Sequence, residues 1–582
     1  MPFSQVKTGM KGYGVTVFEG TKLEKFDVEI VGVLNNIGPG QNLILARVDS
    51  PVVRRAGVLA GMSGSPIYID GKVIGALAYA WQFAKEPVAG ITPIDEMLRI
   101  AQAGGTSGNA VVAAATPRMT GAEFLQAIAT QKTDTVFDKL IGDLGAKQVS
   151  TLGAAKRIAL PVSMASFAPE TIARFSTYFD QMGMVAVPSG STATEGQRDA
   201  GTTPMQFRPG DAIGAVLLNG DFTVAATGTV THIDGDKVYA FGHPFLDMGE
   251  ISFPMARAEI VGFLPSLASS FKFANTGEIV GALRQDRSAG IMGVIGERAR
   301  MIPVELTVEG SGINKTYHVN LVRHPQLSPL MLAMAADSVV ANAQRAAGER
   351  TIVLESEIKL KGFEPIVLHE GWAGAQARQA IPQYLAVVSG YLMSNEFRQA
   401  DIESINLHLV HEDQVKTARI LEATLLPPDN GRVSPGDTVK VRALLKPFRG
   451  DSFTEMFDVK IPEDQPIGAA YVLVGSGTVA NQVDFTLVPP DPRTLEQVVG
   501  VLRRLRPSTD LTVGLYSSNE GAVTAGVYLP SLPPSIRAVV SDDTSNSAQA
   551  PVRYRATGQQ GRSLGYIVDG AVKIDVDVKP AI

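Results

Sequence analysis

The run Gly61-Met62-Ser63-Gly64-Ser65-Pro66 is the first place in this chain where side chains could do covalent chemistry. A nucleophilic serine needs its hydroxyl presented on a tight turn, with backbone N–H groups nearby to hold a developing oxyanion. Small flanking residues let a carbonyl approach the backbone closely. The N–H groups of Gly61 and Ser63 are the natural oxyanion donors. An ordinary Gly/Ser turn has the same composition, so the run alone does not settle the chemistry. Ser65 is the weaker nucleophile candidate, because Pro66 follows it directly.

A serine needs a base. Seven histidines are available and none precedes Ser63. His243 lies in Phe241-Gly242-His243-Pro244-Phe245, at the end of an expected strand, where glycine and proline force a turn. That puts an imidazole on a rigid scaffold, a usual location for catalytic groups. His232, on the paired strand, competes with it. His408 and His411 are three apart, so on a strand they face opposite ways and no metal site is expected there. A third group, a carboxylate, would orient the histidine. Asp49 ends the apolar strand ahead of the serine turn. It is the leading candidate, and Asp247 is its rival. Asp49 also suits a plain turn start before Ser50-Pro51.

These residues need a frame. A chain of 582 residues is too long for one core, so three or four domains are expected. Apolar residues make up 45% and charged residues 19%, which is globular composition. The 58 glycines and 35 prolines favour a turn-rich, β-heavy chain. The absence of cysteine excludes disulfides, thiolate nucleophiles and cysteine metal sites. A net charge of -6 without a charge block leaves no nucleic-acid footprint. The first residues lack the apolar run of a signal peptide, and no stretch is long and uncharged enough to span a bilayer. That is the expectation for a cytosolic protein, or for one whose leader lies outside this sequence.

Periodicity places the elements. Phe26, Val28 and Ile30 alternate with Asp27 and Glu29, a half-buried strand. Ile67 to Ile69, Asp70-Gly71 and Val73 to Ala80 read as a hairpin, and so do Val230 to His232, Asp234-Gly235 and Val238 to Phe241. The shared Ile-Asp-Gly suits two related β-barrel halves, or simply two common turns. Phe124, Leu125 and Ile128 fit one helical face, as do Ile172, Phe175 and Phe179 behind Pro169. Pro188 to Thr203 reads as an exposed loop. The expected division is a barrel half at 1–105, a helical insertion at 106–204, a second barrel half at 205–325 and a helix/strand connection at 326–399. An immunoglobulin-like β-sandwich module at 400–485 and a strand-rich segment at 486–582 complete the chain, and the part from about 400 onward is expected to fold by itself.

Several blocks together resemble the sporulation stage IV protein B (SpoIVB) family of serine peptidases. Gly61 to Pro66, with Ile67 and Gly71-Lys72-Val73-Ile74-Gly75-Ala76, is similar to that family's nucleophile block. Lys25 to Val31 looks like the strand before it, and Asp49 falls where the family carries its catalytic aspartate. Gly228 to Thr231 and Tyr239 to His243 look like the histidine block, and Gly277 to Gly293 resembles the segment on its C-terminal side. The resemblance covers roughly residues 5–100 and 210–300. It implies a trypsin-like double β-barrel core in a mainly β chain. It also implies a protein or peptide substrate, a Ser63–His243–Asp49 triad and an oxyanion hole from Gly61 and Ser63. No metal or organic cofactor is implied.

The order Asp49, Ser63, His243 departs from the family's order, in which the histidine block comes first, and looks like a permutation of the two halves. No PDZ domain is evident. The family favours an exported, cell-envelope setting. Two rival readings are a catalytically inactive peptidase-fold scaffold of the envelope and an acyl hydrolase that does not cleave peptides.

Overall fold

The structure is a computed structural model. It describes residues 1–38, 40–81, 83–104, 119–130, 138–140, 155–190, 206–310, 312–343, 350–375, 377–426, 433–488, 490–524, 527–529, 533, 535–536 and 549–580. The chain divides into two compact units. One comprises Met1–Thr116, Ile141–Val304 and His318–Ala341; the other comprises Pro117–Leu140, Glu305–Tyr317 and Asn342–Ile582.

The first unit contains two closed rings of strands. The N-terminal ring uses β1 (Lys11–Val17), β2 (Leu23–Gly38), β3 (Gln41–Asp49), β4 (Pro66–Ile69), β5 (Lys72–Ala80) and β6 (Val88–Pro93). Their order is β4-β1-β2-β3-β6-β5, and β5 pairs back onto β4. Closure leaves no free edge. Phe26, Val28 and Ile30 point inward with Ile44, Ala46, Val48, Ile67, Leu77 and Ile91, as the alternation requires. Asp70 and Gly71 both have positive φ, 50° and 72°, the geometry of a two-residue hairpin turn that suits strand twist. A short strand, β7 (Lys156–Arg157), adds to β5.

The second ring lies further along the same unit. Its strands are β10 (Ala212–Gly220), β11 (Thr223–Asp234), β12 (Lys237–Ala240), β13 (Gly249–Leu264), β14 (Phe271–Arg287) and β15 (Gly290–Ile295). They pair in the order β10-β13-β14-β15-β12-β11, with β11 returning to β10. This is a mainly β, double-barrel core. The repeated Ile-Asp-Gly does not make the two hairpins alike. Asp234 still pairs with Lys237, so the second turn is Gly235-Asp236, with Gly235 at φ 62°.

The expected helical insertion is only partly helical. β8 (Leu160–Ala165) pairs antiparallel with β11 and parallel with β9 (Met184–Ser189), and helix Pro169–Gln181 connects them. Every residue of β8 is buried, and a short apolar run of that kind suits a sheet interior as well as a helix. The helix starts at Pro169 and buries Phe175 and Phe179. Residues 105–118, 131–137, 141–154 and 191–205 of this stretch, with most of the loop expected at 188–203, lie outside the described residues.

In the second unit, Thr351–Leu360 pairs with both Ile366–Ala373 and Ile402–Glu412. Helices Gly121–Thr130 and Ala377–Met393 bring the Phe124 and Tyr391 rings into a stack at 4.1 Å. A division at 400 would therefore part Ile402–Glu412 from its sheet partner. A β-sandwich comes next. One sheet holds Thr417–Leu426, Thr438–Pro447, Phe453–Lys460 and Ile567–Asp569; the other holds Gly468–Ser476, Asp510–Thr524, Val527–Leu529, Gln549–Ser563 and Ala571–Val578. Val439, Val441, Leu445, Val472, Val474, Leu511, Val513 and Val576 share one core. Segments 400–485 and 486–582 thus contribute to one sandwich, because neither buries its apolar face without the other's strands. A turn at Ser434 to Asp437 has Gly436 at φ 89° and the Ser434 N–H on the Asp437 carboxylate. Among the described residues no helix is long and apolar enough to cross a membrane.

Candidate active site

The serine turn is built from short-range bonds. After β3, Ser50 caps the helix Pro51–Ala56 by accepting the Val53 N–H at 3.1 Å. Met62 N–H then donates to Leu59 O and Ser65 N–H to Met62 O, both at 3.0 Å, while Gly64 N–H reaches Leu77 O at 2.7 Å. Gly61 and Gly64 have φ of 93° and 91°, which only glycine adopts without strain. A Cβ on Gly64 would lie 2.0 Å from Thr229 O and 2.5 Å from Phe241 N. The serine turn therefore lies directly against the strand end that leads to the histidine.

Two threonines of β11 hold the carbonyl side of this turn. Thr229 Oγ1 donates to Gly61 O at 3.0 Å, Thr229 N–H to Ser63 O at 2.9 Å and Thr231 Oγ1 to Gly64 O at 2.7 Å. Both threonines lie in the Gly228 to Thr231 block that resembles the family's histidine block, but no sequence rule gave them this bracing role. A signal is present in that Thr229 and Thr231 alternate in a buried strand, where polar groups usually find partners.

The histidine loop is shaped by strain and by long-range bonds. Phe241 sits at φ 70°, costly for a bulky residue, and Gly242 follows at φ 70°. Thr92 Oγ1 donates to Gly242 O at 2.6 Å, and a Cβ on Gly242 would lie 2.8 Å from the Ala76 methyl. Beyond His243, the buried Asp286 carboxylate accepts three N–H groups: Phe245 at 2.7 Å, Leu246 at 2.8 Å and Met248 at 3.1 Å. Burial raises its pKa to about 6 although those bonds pull it down. No sequence pattern announces Asp286.

His243 and Ser63 are both buried, and neither His243 Nε2 nor Ser63 Oγ makes a well-formed hydrogen bond among the described residues, although the Ile158 backbone also faces the ring. Thus no hydrogen bond joins them in this structure. His243 Nδ1 lies 2.8 Å from Pro244 O. A carbonyl only accepts, so Nδ1 carries the proton and Nε2 presents its lone pair in the neutral ring. Burial lowers the His243 pKa to about 4; backbone hydrogen bonds with Pro244 and Ile158 oppose this, and the nearby positive Arg157 adds to it. The imidazole is therefore neutral at neutral pH.

The remaining candidates are placed as follows. Asp49 is not hydrogen-bonded to His243; both its oxygens bind Arg54, at 2.7 and 2.6 Å. That bond holds the Asp49 carboxyl below its usual pKa. The reason is local, because Arg54 sits one helical turn past the Ser50 cap and reaches back to the strand end. Asp247 is exposed. Gly61 N–H donates to Ala159 O at 3.2 Å, whereas Ser63 N–H has no partner among the described residues. Ser65 Oγ is spent on Met62 O at 2.6 Å. His232 is half-buried against Tyr239. In the second unit His408 meets Glu309 at 3.1 Å and His411 meets Arg350 at 3.1 Å. No acidic, histidine or cysteine cluster fit for a metal occurs among the described residues. A buried lysine, Lys272, packs its stem beside Gly61 and donates to Thr16 Oγ1 at 2.8 Å.

No curated protein and no solved structure matches the chain. Residues 3–98 match the family model described as SpoIVB peptidase S55. The matched span includes the N-terminal barrel's strands, Asp49 and the serine turn, and ends before the histidine loop. On that match, the N-terminal barrel of this chain is similar to the SpoIVB peptidase family.

Proposed function

We propose that this protein is a serine endopeptidase with Ser63 as nucleophile and His243 as base. The family match supports a serine peptidase. The observation that carries the finer reading is the meeting of two unpartnered buried groups' turns: Gly64 lies against Phe241, with Ser63 Oγ and His243 Nε2 both unbonded. Buried polar atoms are normally paired, so two unpaired ones on adjoining turns call for an explanation, and a catalytic role supplies one.

In this reading His243 Nε2 takes the Ser63 proton as Oγ attacks the scissile carbonyl. It then gives the proton to the leaving amine, and water hydrolyses the acyl-enzyme by the reverse route. The Pro244 carbonyl keeps the required tautomer. The Ser63 N–H is the oxyanion donor at hand, and Gly61 serves as the second once Ala159 releases it. Asp49 completes a triad only by exchanging Arg54 for His243. Because Ser63 is 0% exposed, a peptide reaches it only after the surrounding segments open.

That burial also favours the second reading, an inactive scaffold on a peptidase fold. A serine-directed fluorophosphonate separates the two. Labelling of the wild type, lost in Ser63→Ala and retained in Ser65→Ala, is expected. An unlabelled wild type, in which peptides also go uncut, would make the scaffold the better account.

A further inference from the structure

In the histidine loop, the proton-bearing nitrogen of His243 faces a backbone carbonyl rather than a carboxylate. That carbonyl belongs to the Pro244–Phe245 peptide. The N–H of the same peptide donates to Asp286 Oδ1 at 2.7 Å. This peptide is trans, so its C=O and N–H point in opposite directions. Fixing one end fixes the other. The chain of bonds runs from the Asp286 carboxylate through one peptide plane to the imidazole.

We propose that Asp286 is the positioning carboxylate of His243, acting through the Pro244–Phe245 peptide instead of touching the ring. Two effects result. The first is orientation: with Leu246 and Met248 N–H groups also on Asp286, the loop has three anchors on one carboxylate, and the Pro244 carbonyl cannot turn away from Nδ1. The second is polarisation. A carboxylate accepting an amide N–H makes the same amide's carbonyl a stronger acceptor, since linked hydrogen bonds reinforce one another. Part of what a directly bonded aspartate supplies in a triad, namely tautomer and stabilisation of the imidazolium, reaches His243 in this way. Asp286 lies in β14, 43 residues beyond His243 in sequence, and is completely buried. An ionised group in that position needs the three N–H bonds it has.

The proposal rests on His243 being the base, and the test separates the two ideas. The first readout needs no activity: ¹⁵N NMR of the histidine ring nitrogens in the full chain, with His243→Gln identifying the signal. The wild type should show Nδ1–H with Nε2 unprotonated. Asp286→Asn should turn this into a mixture of tautomers. The second readout is fluorophosphonate labelling, which should slow about 10- to 100-fold, the scale seen when a supporting hydrogen bond is lost from a reactive group.

Asp337→Asn is the control. Asp337 is an equally buried carboxylate of the same unit, held by Thr171 and Arg174. It should leave the tautomer unchanged and cost labelling far less. An unchanged His243 tautomer in Asp286→Asn, or equal losses in both variants, would overturn the proposal. If Asp286→Asn does not fold, the wild-type Nδ1–H signal is followed through the pH range in which Asp286 ionises. Asp247, the other carboxylate acting on Asp286, is removed by Asp247→Asn, and Arg157 is the charged group acting on His243. A signal that does not move overturns the proposal. Loss of labelling in the wild type itself counts against the peptidase reading and leaves the NMR result standing.

Discussion

The serine turn and the histidine loop solve the same problem by opposite means. Both must hold one side chain on an irregular backbone inside a β-barrel core. The serine turn obtains its backbone shape mostly from residues within about a dozen positions of itself, namely glycines at φ above 90°, i to i+3 bonds and the partner strand of its own hairpin, and Thr229, Thr231 and Ala159 then brace it from a distance. The histidine loop holds a phenylalanine in the left-handed region and relies on Thr92, 150 positions away, and on Asp286. A locally determined turn is written in composition. A loop determined at long range is strained by itself and stays in place only because surrounding groups over-determine it.

That contrast can be broken experimentally. The largest effect belongs to Ser63→Ala, which should remove about 10⁴–10⁶ of any peptidase rate while leaving the thermal transition close to wild type. Residual labelling at another serine would show that the turn is not the nucleophile site. Gly64→Ala comes next and acts on folding. Its new methyl would meet backbone atoms at 2.0 and 2.5 Å at a positive φ, so a loss of about 3 kcal/mol or more is expected in a urea titration. A wild-type midpoint would mean the two turns are not packed together as described. Asp286→Asn, with its shift in tautomer and slower labelling, ranks third.

Asp49→Asn should be mild by comparison. Its ion pair with Arg54 is exposed, and exposed pairs contribute little, so labelling should stay within about threefold of wild type. A drop as deep as that of Ser63→Ala would restore Asp49 to a direct triad and remove the need for Asp286.

The smallest effect is on pH behaviour. His243 has a folded pKa near 4, below the ordinary histidine value of 6.5. The unfolded chain therefore binds more protons between those values, and stability is lost as pH falls from 6.5 towards 4. Asp286, raised from 3.8 to about 6, works the other way and favours the folded state as pH falls through 6. Asp286→Asn leaves the histidine contribution unopposed. Its melting temperature should fall away from wild type as the buffer moves from pH 7 to pH 5. A constant difference between the two proteins would show that these groups are more hydrated than their burial implies.

Much of the frame was legible in the chain itself. The alternation at Phe26, Val28 and Ile30, the Asp70-Gly71 turn and the glycines around Ser63 each come from a local rule: strand period two, positive φ at a hairpin and room for a close backbone. Side-chain chemistry separated Ser63 from Ser65 only weakly; the bond from Ser65 to Met62 O made the distinction clear. The pairing of Asp49 with Arg54 was equally local, yet a helix starting at Pro51 had to be seen before the arginine could be aimed.

What the sequence by itself determined was the mainly β frame, the serine turn and the presence of a histidine at a forced turn. Tertiary structure alone decided that β8 and β9 extend the second barrel, that the strands described between Thr417 and Val578 make one sandwich, and that Thr229, Thr231 and Asp286 hold the site. The reason is physical. Local conformation depends on a few neighbouring torsions, which residue type reveals. A buried hydrogen-bond partner is selected by which strands close the ring, and ring closure joins positions that no spacing rule connects.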